Sequence, residues 1–215
     1  MRQRALAEFT ATACLLIAVV GSGIMAERLS DGQMAVALLA NAIATGCALY
    51  VLILVFAPIS GAHMNPIATL NAAWTGEITR KGALTYIAAQ ISGAVIGVWM
   101  THAMFGVDIF EWGTKVRTGP AQWLAELVAT AGLLGVIWGC KRYDTPTSAG
   151  AIAAYITGAY WFTASTSFAN PAVTIARALT DSFAGIRPDD VLGFIAAQIA
   201  GLIIICVARG RIRKN

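Results

Sequence analysis

Long apolar stretches recur along the chain, separated by short polar breaks. Runs at roughly 5–26, 34–57, 82–104, 121–140, 147–165 and 189–208 each approach the ~20 residues a helix needs to cross bilayer hydrocarbon. Two further stretches, after Asn65 and after Asn170, last only about ten residues before Thr75-Gly76 and Thr180-Asp181, too short to span. The pattern predicts an all-α membrane protein with six transmembrane helices and two re-entrant half-helices. Little chain remains for a soluble domain, so residues 1–215 are read as one transmembrane domain.

The runs also repeat. LAEFTATACLL from Leu6 matches LAELVATAGLL from Leu124, and IAAQISG (87–93) returns as IAAQIAG (195–201). Between these pairs lie HMNPIAT and FANPAVT, in the same order. Each half, approximately 1–105 and 120–215, reads as helix, helix, Asn-Pro segment, helix. Three spans per half turn the second copy upside down, and inverted repeats place a solute site near the midplane where the halves meet.

The Asn-Pro pairs give that site a physical form. Asparagine is a favoured N-cap, and proline suits the first helical position, where an N–H has no partner. Asn65-Pro66-Ile67 and Asn170-Pro171-Ala172 therefore start the half-helices deep in the membrane. Irregular backbone at that depth is tolerated where protein buries it or where it lines a wet cavity, such as a pore. Two half-helix N-termini facing each other direct positive dipole ends at the path and oppose cations, while the asparagine amides can donate to a neutral hydroxyl.

Composition supports the bilayer as solvent: 58% of residues are hydrophobic and 12% charged, and the mean hydropathy is +0.70. The net charge of +4 suggests nucleic acid less than it suggests topology, because the basic residues cluster at alternate loops. Arg2, Arg4, Arg80, Lys81, Lys141, Arg142, Arg209, Arg211, Arg213 and Lys214 fall on one side if both termini are cytoplasmic. The first run lacks a small-residue cleavage site and is expected to stay in place. The four cysteines lie inside apolar runs, with no metal-ligand or disulfide spacing. No nucleophile–base pair or phosphate-binding glycine loop accompanies the motifs, so an enzyme, a cofactor and a metal are not expected.

Together, SGAHMNPIAT (60–69), SFANPAVTIAR (167–177), the Ala-Glu pairs of the first and fourth spans and the AAQ-x-x-G pairs resemble the major intrinsic protein family, the aquaporins and aquaglyceroporins. The first motif carries Ile67 where the family usually has alanine. The resemblance implies a homotetramer with one pore per subunit in the cell's inner (plasma) membrane. Counting from the asparagines, it also implies a selectivity filter of Thr45, Gly158, Ser167 and Val173. Most members carry arginine at the position of Val173, so a wider, uncharged filter is expected. Glycine at 158 resembles glycerol-conducting members, and filters lacking the arginine resemble bacterial members associated with arsenic handling.

Arg177 follows Val173 by one turn on the same face. The favoured expectation is that it snorkels to the outer vestibule, the alternative that its guanidinium leans back toward the filter. The resemblance places His63 beside the pore. It also assigns Glu8 and Glu126 a structural role, accepting hydrogen bonds from the backbone before each Asn-Pro motif; a proton relay is the alternative. Small residues such as Gly93, Gly97, Gly135, Gly139 and Gly201 are read as close helix contacts. The expected activity is passive conduction of small neutral solutes: glycerol-like polyols, trivalent arsenic and antimony hydroxides, and water. The rivals are a water-selective aquaporin, an ion- or proton-coupled secondary transporter and a largely closed junctional protein.

Overall fold

In the computed structural model, the apolar runs form long helices and the Asn-Pro segments form short ones. α1 spans Arg2–Leu29, α2 Met34–Ser60, α4 Arg80–Phe105, α5 Pro120–Cys140, α6 Thr145–Phe162 and α8 Val191–Ile212. The half-helices are α3, Pro66–Trp74, and α7, Pro171–Arg177. A single 3₁₀ turn, Pro188–Asp190, leads into α8. The structure describes residues 1–212; Arg213 and Lys214, counted above in the charge pattern, lie outside them. Among the described residues there is no strand.

Five helices are long and apolar enough to cross a membrane, and α6 is not among them. The fifth predicted run, 147–165, ends as helix at Phe162, which leaves 18 residues. At ~1.5 Å per residue that is about 27 Å, close to the ~30 Å of bilayer hydrocarbon, so α6 falls short in apolarity, opening on Thr145-Pro146-Thr147-Ser148. Asp144 starts α6, accepting from Thr147 N at 2.9 Å, with proline in the first turn.

The polarity of the molecule is arranged for lipid. Leu6, Leu84, Trp74 and Leu192 are each at least 65% exposed, whereas Glu8, Thr12, Gln90, Glu126 and Gln198 are completely buried. A water-soluble domain that exposes large side chains on most of its helices and hides carboxylates would be unstable; in hydrocarbon the same arrangement is favourable. The chain is a multi-pass membrane protein.

Glycine sets the closest helix approaches. A Cβ at Gly93 or Gly97 of α4 would strike the carbonyls of Phe9 and Ala13 on α1. The equivalent Gly201 of α8 has Leu127 O of α5 only 2.8 Å from its Cβ position. Small residues at such crossings let backbones pack where lipid supplies no hydrophobic drive. Gly135 and Gly139 depart from the expectation, because nothing lies within 4 Å of their Cβ positions.

Candidate pore

The segments before the two Asn-Pro pairs leave helical geometry in the same way. Ala62, Met64, Ser167 and Ala169 all have positive φ, between 47° and 50°, in the left-handed region that L residues avoid. Two buried carboxylates hold them there. Glu8 accepts from His63 N at 2.9 Å, Met64 N at 2.7 Å and Ser60 Oγ at 2.6 Å. Glu126 accepts from Phe168 N and Ala169 N, both at 2.8 Å. Behind each carboxylate stands a glutamine from the AAQ repeat: Gln90 donates to Glu8 at 2.7 Å and Thr69 at 2.9 Å, and Gln198 donates to Glu126 at 2.7 Å and Thr174 at 2.9 Å. Every oxygen of both carboxylates is thus occupied by donors from the segment before an Asn-Pro motif and from a glutamine.

The half-helix N-termini abut. Asn65 Oδ1 accepts from Ile67 N at 2.8 Å, and Asn170 Oδ1 accepts from Ala172 N at 3.0 Å and Val173 N at 3.3 Å, so each asparagine caps its own helix. Each amide then reaches across: Asn65 Nδ2 donates to Ala169 O and Asn170 Nδ2 to Met64 O, both at 2.7 Å. An amide nitrogen carries two hydrogens. One is spent on the carbonyl of the opposite re-entrant segment and the other remains for whatever occupies the cavity. Ile67 is fully buried against this junction and packs there as alanine's larger counterpart.

Both asparagines line a cavity of about 290 Å³. The long helices α1, α2, α5 and α6 give it an aliphatic lining of Leu15, Val19, Leu49, Ile53, Leu133, Ile137, Ile152 and Ile156. Its polar lining includes His63, Asn65, Asn170 and Ser167 from the two re-entrant segments. His63 is oriented by a 3.0 Å contact from Nδ1 to Thr69 Oγ1 and by an edge contact with Tyr86. At one end the cavity reaches the ion pair of Lys141 with Glu77. Thr45, Ser167, Val173 and Arg177 also line the cavity, each no more than 5% exposed.

Gly158 does not join them. The residues of α6 that face the cavity are Ile152, Ile156 and Tyr160, spaced four apart on one helical stripe, and Gly158 lies off that stripe. Counting back from Asn170 crosses the loop 163–169, and the count is correct only if that loop has the expected length. Tyr160 instead places its hydroxyl 3.2 Å from Thr45 Oγ1. The stripe itself was visible in the sequence as Ile152, Ile156, Tyr160.

Arg177 departs from the favoured expectation. It is 1% exposed, its Nε donates to the carbonyl of Ala184, and its guanidinium lies 3.5 Å from the centroid of the Phe168 ring. The lining beside Arg177 is therefore not uncharged. Arg117, which the sequence did not single out, approaches the same ring at 5.0 Å. Its Nε donates to Gly185 O at 2.8 Å and its Nη1 to Ser165 O at 3.1 Å, while its backbone N–H donates to Asp190 at 2.8 Å. Burial brings its pKa down to about 10, which leaves it charged at neutral pH.

The family scan decides the identity: the model described as "Major intrinsic protein" matches residues 1–169. The chain belongs to the major intrinsic protein family. It is accordingly a membrane channel and not an enzyme. It is 47% identical over 203 residues to the aquaglyceroporin AqpS of Rhizobium meliloti (strain 1021), covering 94% of this chain and 87% of that protein. It is 34% identical over 154 residues to the probable aquaporin TIP1-1 of Oryza sativa subsp. japonica, covering 69% of this chain and 61% of the relative. Among solved structures, the aquaglyceroporin from Plasmodium falciparum superposes with a TM-score of 0.72 over 95% of this chain and 93% of that one; at 20% identity the likeness is one of fold.

Lys115, in the same loop as Arg117, gives a pH test of this end of the pore. Its Nζ donates to Phe183 O at 3.0 Å and sits 4.4 Å from the Phe183 ring. Burial, then Arg117 and Arg177, bring its pKa down to about 8. A free lysine titrates near ~10.4, so between about 8 and ~10.4 the unfolded chain keeps a proton that the folded protein has released, and stability rises with pH across that window. The thermal midpoint of the wild type, measured against Lys115→Met, is expected to climb over this range. A difference that stays flat with pH would reject the assignment.

Proposed function

We propose that this channel is a passive, bidirectional facilitator for small uncharged solutes, conducting glycerol-like polyols and trivalent arsenic and antimony hydroxides with water. The observation that carries the reading is the mixed lining of the cavity: aliphatic side chains from the long helices together with hydrogen-bonding groups that include both asparagines. A polyol has the same mixed character, carbon and hydroxyls together, and the neutral trihydroxides of arsenic and antimony present a comparable set of donors and acceptors. Val173 leaves out the bulk an arginine would add to the lining, and the likeness to a protein titled an aquaglyceroporin supports the polyol class. The amides, each with one hydrogen already engaged, have no charge to couple to an ion gradient.

The same reading takes the halves 1–105 and 120–215 as inverted repeats of a single domain, the assembly as a homotetramer, and the location as the plasma membrane with both termini cytoplasmic. The matching carboxylate–glutamine clamps and the basic residues at alternate loops support the first and last of these. A water-selective pore is the second reading, favoured by the Tyr160–Thr45 contact beside Arg177.

Stopped-flow light scattering on proteoliposomes separates the readings. Water, glycerol and arsenous acid flux down their gradients is expected, unaffected by a proton gradient. Water flux alone would select the water-selective pore. Solute accumulation driven by the proton gradient would reject a channel altogether.

A further inference from the structure

We propose that Arg177 supplies the charge-selective element of this pore, one helical turn beyond the position where the family's arginine is missing, and that its free guanidinium nitrogens together with Ser167 Oγ form a binding site for the oxygen of a neutral solute. The proposal rests on the channel reading and adds to it the residue that rejects cations.

Val173 presents only methyl groups to the cavity, so position 173 contributes no field. Helical side chains lean toward the N-terminus, and Arg177, the last residue of α7, therefore projects back along the helix toward Phe168 and Ser167. Its single hydrogen bond among the described residues runs from Nε to Ala184 O, and it takes part in no ion pair. The two Nη groups thus carry four N–H donors with no protein acceptor among those residues. They are not sealed off either, because Arg177 lines the cavity. A guanidinium held out of bulk water without a counter-ion is strongly disfavoured unless something hydrogen-bonds it. The cavity's occupant is the remaining source of acceptors.

Ser167 makes the independent case for an occupant. It is 3% exposed, it lines the same cavity, and its Oγ has no hydrogen-bond partner. Four donors and one hydroxyl left without partners on the lining of one cavity match a solute oxygen that accepts from the arginine and exchanges a hydrogen bond with the serine.

The mounting is rigid. Arg177 and Arg117 take the adjacent carbonyls of Ala184 and Gly185, and both guanidiniums approach the Phe168 ring. Phe168 is itself braced by Phe194 in an edge contact at 5.1 Å. Glu126, fully buried and not part of the cavity lining, is occupied by Phe168 N, Ala169 N and Gln198, so it is not paired with Arg177. The field at this end is positive, which repels cations and leaves neutral solutes free to bind and pass.

Wild-type, Arg177→Gln, Arg177→Lys and the double variant Arg177→Gln/Val173→Arg are reconstituted, and sodium and proton leak is measured relative to water permeability. The ratio is expected to rise about tenfold in Arg177→Gln, to stay within about threefold of wild type in Arg177→Lys, and to fall again in the double variant. A wild-type ratio in Arg177→Gln overturns the proposal, as does a Lys variant that leaks as much as the Gln variant. Should Arg177→Gln not reconstitute, wild-type proteoliposomes are treated with methylglyoxal and mapped by peptide mass spectrometry. Modification of Arg177 with a rising leak is expected, and an unmodified Arg177 overturns the proposal. Failure of the channel reading shows separately, as absence of water and glycerol flux in the untreated wild type.

Discussion

Replacing Glu126 with alanine is expected to abolish recoverable, monodisperse protein. Phe168 N and Ala169 N would lose their acceptor, and Gln198 would lose the carboxylate it donates to. All of these groups are buried among helices in lipid, where no water replaces the bond. Each unsatisfied backbone donor costs about 1–3 kcal/mol and more when the lost partner is charged, so the sum is on the order of 5 kcal/mol. That is comparable to the whole stability of many domains, ~5–15 kcal/mol. The same donors also hold Ala169 at its positive φ, so the Asn170 amide would lose its aim at Met64 O. Glu8→Ala should behave alike through His63 N and Met64 N.

Glu126→Gln separates this role from proton transfer. The amide keeps one acceptor oxygen, so the variant should assemble with a lowered thermal midpoint in detergent and still conduct. A conducting Glu126→Ala with an unchanged midpoint would remove the clamp from the account. Loss of proton-dependent flux in the Gln variant would support the relay.

Val173→Arg is expected to cut glycerol permeability by about tenfold or more while reducing water permeability less. Valine at this position is 5% exposed and lines the same cavity as Thr45 and Tyr160. Arginine adds length and a planar head there, one turn from a guanidinium already present at Arg177, and two like charges at that spacing repel. The new side chain must extend into the lumen, because Phe168 is already occupied. The ratio of glycerol to water permeability reads the effect directly. Unchanged glycerol flux would show that Val173 is not at the constriction.

Of the four positions counted from the asparagines, Thr45, Ser167 and Val173 line the cavity and Gly158 does not. Ser167 and Val173 lie within three residues of Asn170, inside one turn or one short extended segment, where a residue number converts to a position with little error. Gly158 is separated from Asn170 by a loop of its own length and by the end of α6. One or two residues there rotate the helix face by 100° or 200°, which is enough to exchange a glycine for Tyr160.

Arg177 and Arg117 show the other boundary of sequence reading. A long cation near a helix end has several places to go, and hydropathy favours water. In the fold, the carbonyls of Ala184 and Gly185 and the face of Phe168 converge to receive both guanidiniums. None of those acceptors is marked in the sequence, because a backbone carbonyl looks the same at every residue.

The apolar runs, the paired Asn-Pro caps and the twinned Glu and Gln positions were determined by the sequence alone, because each depends on chemistry within a few residues or on its exact recurrence in the second half. Which residues meet at the narrow end of the cavity was decided only by the tertiary structure. That outcome depends on the rotation of α6, the path of the loops and the direction of two long side chains, and these are set by contacts between segments far apart in the chain.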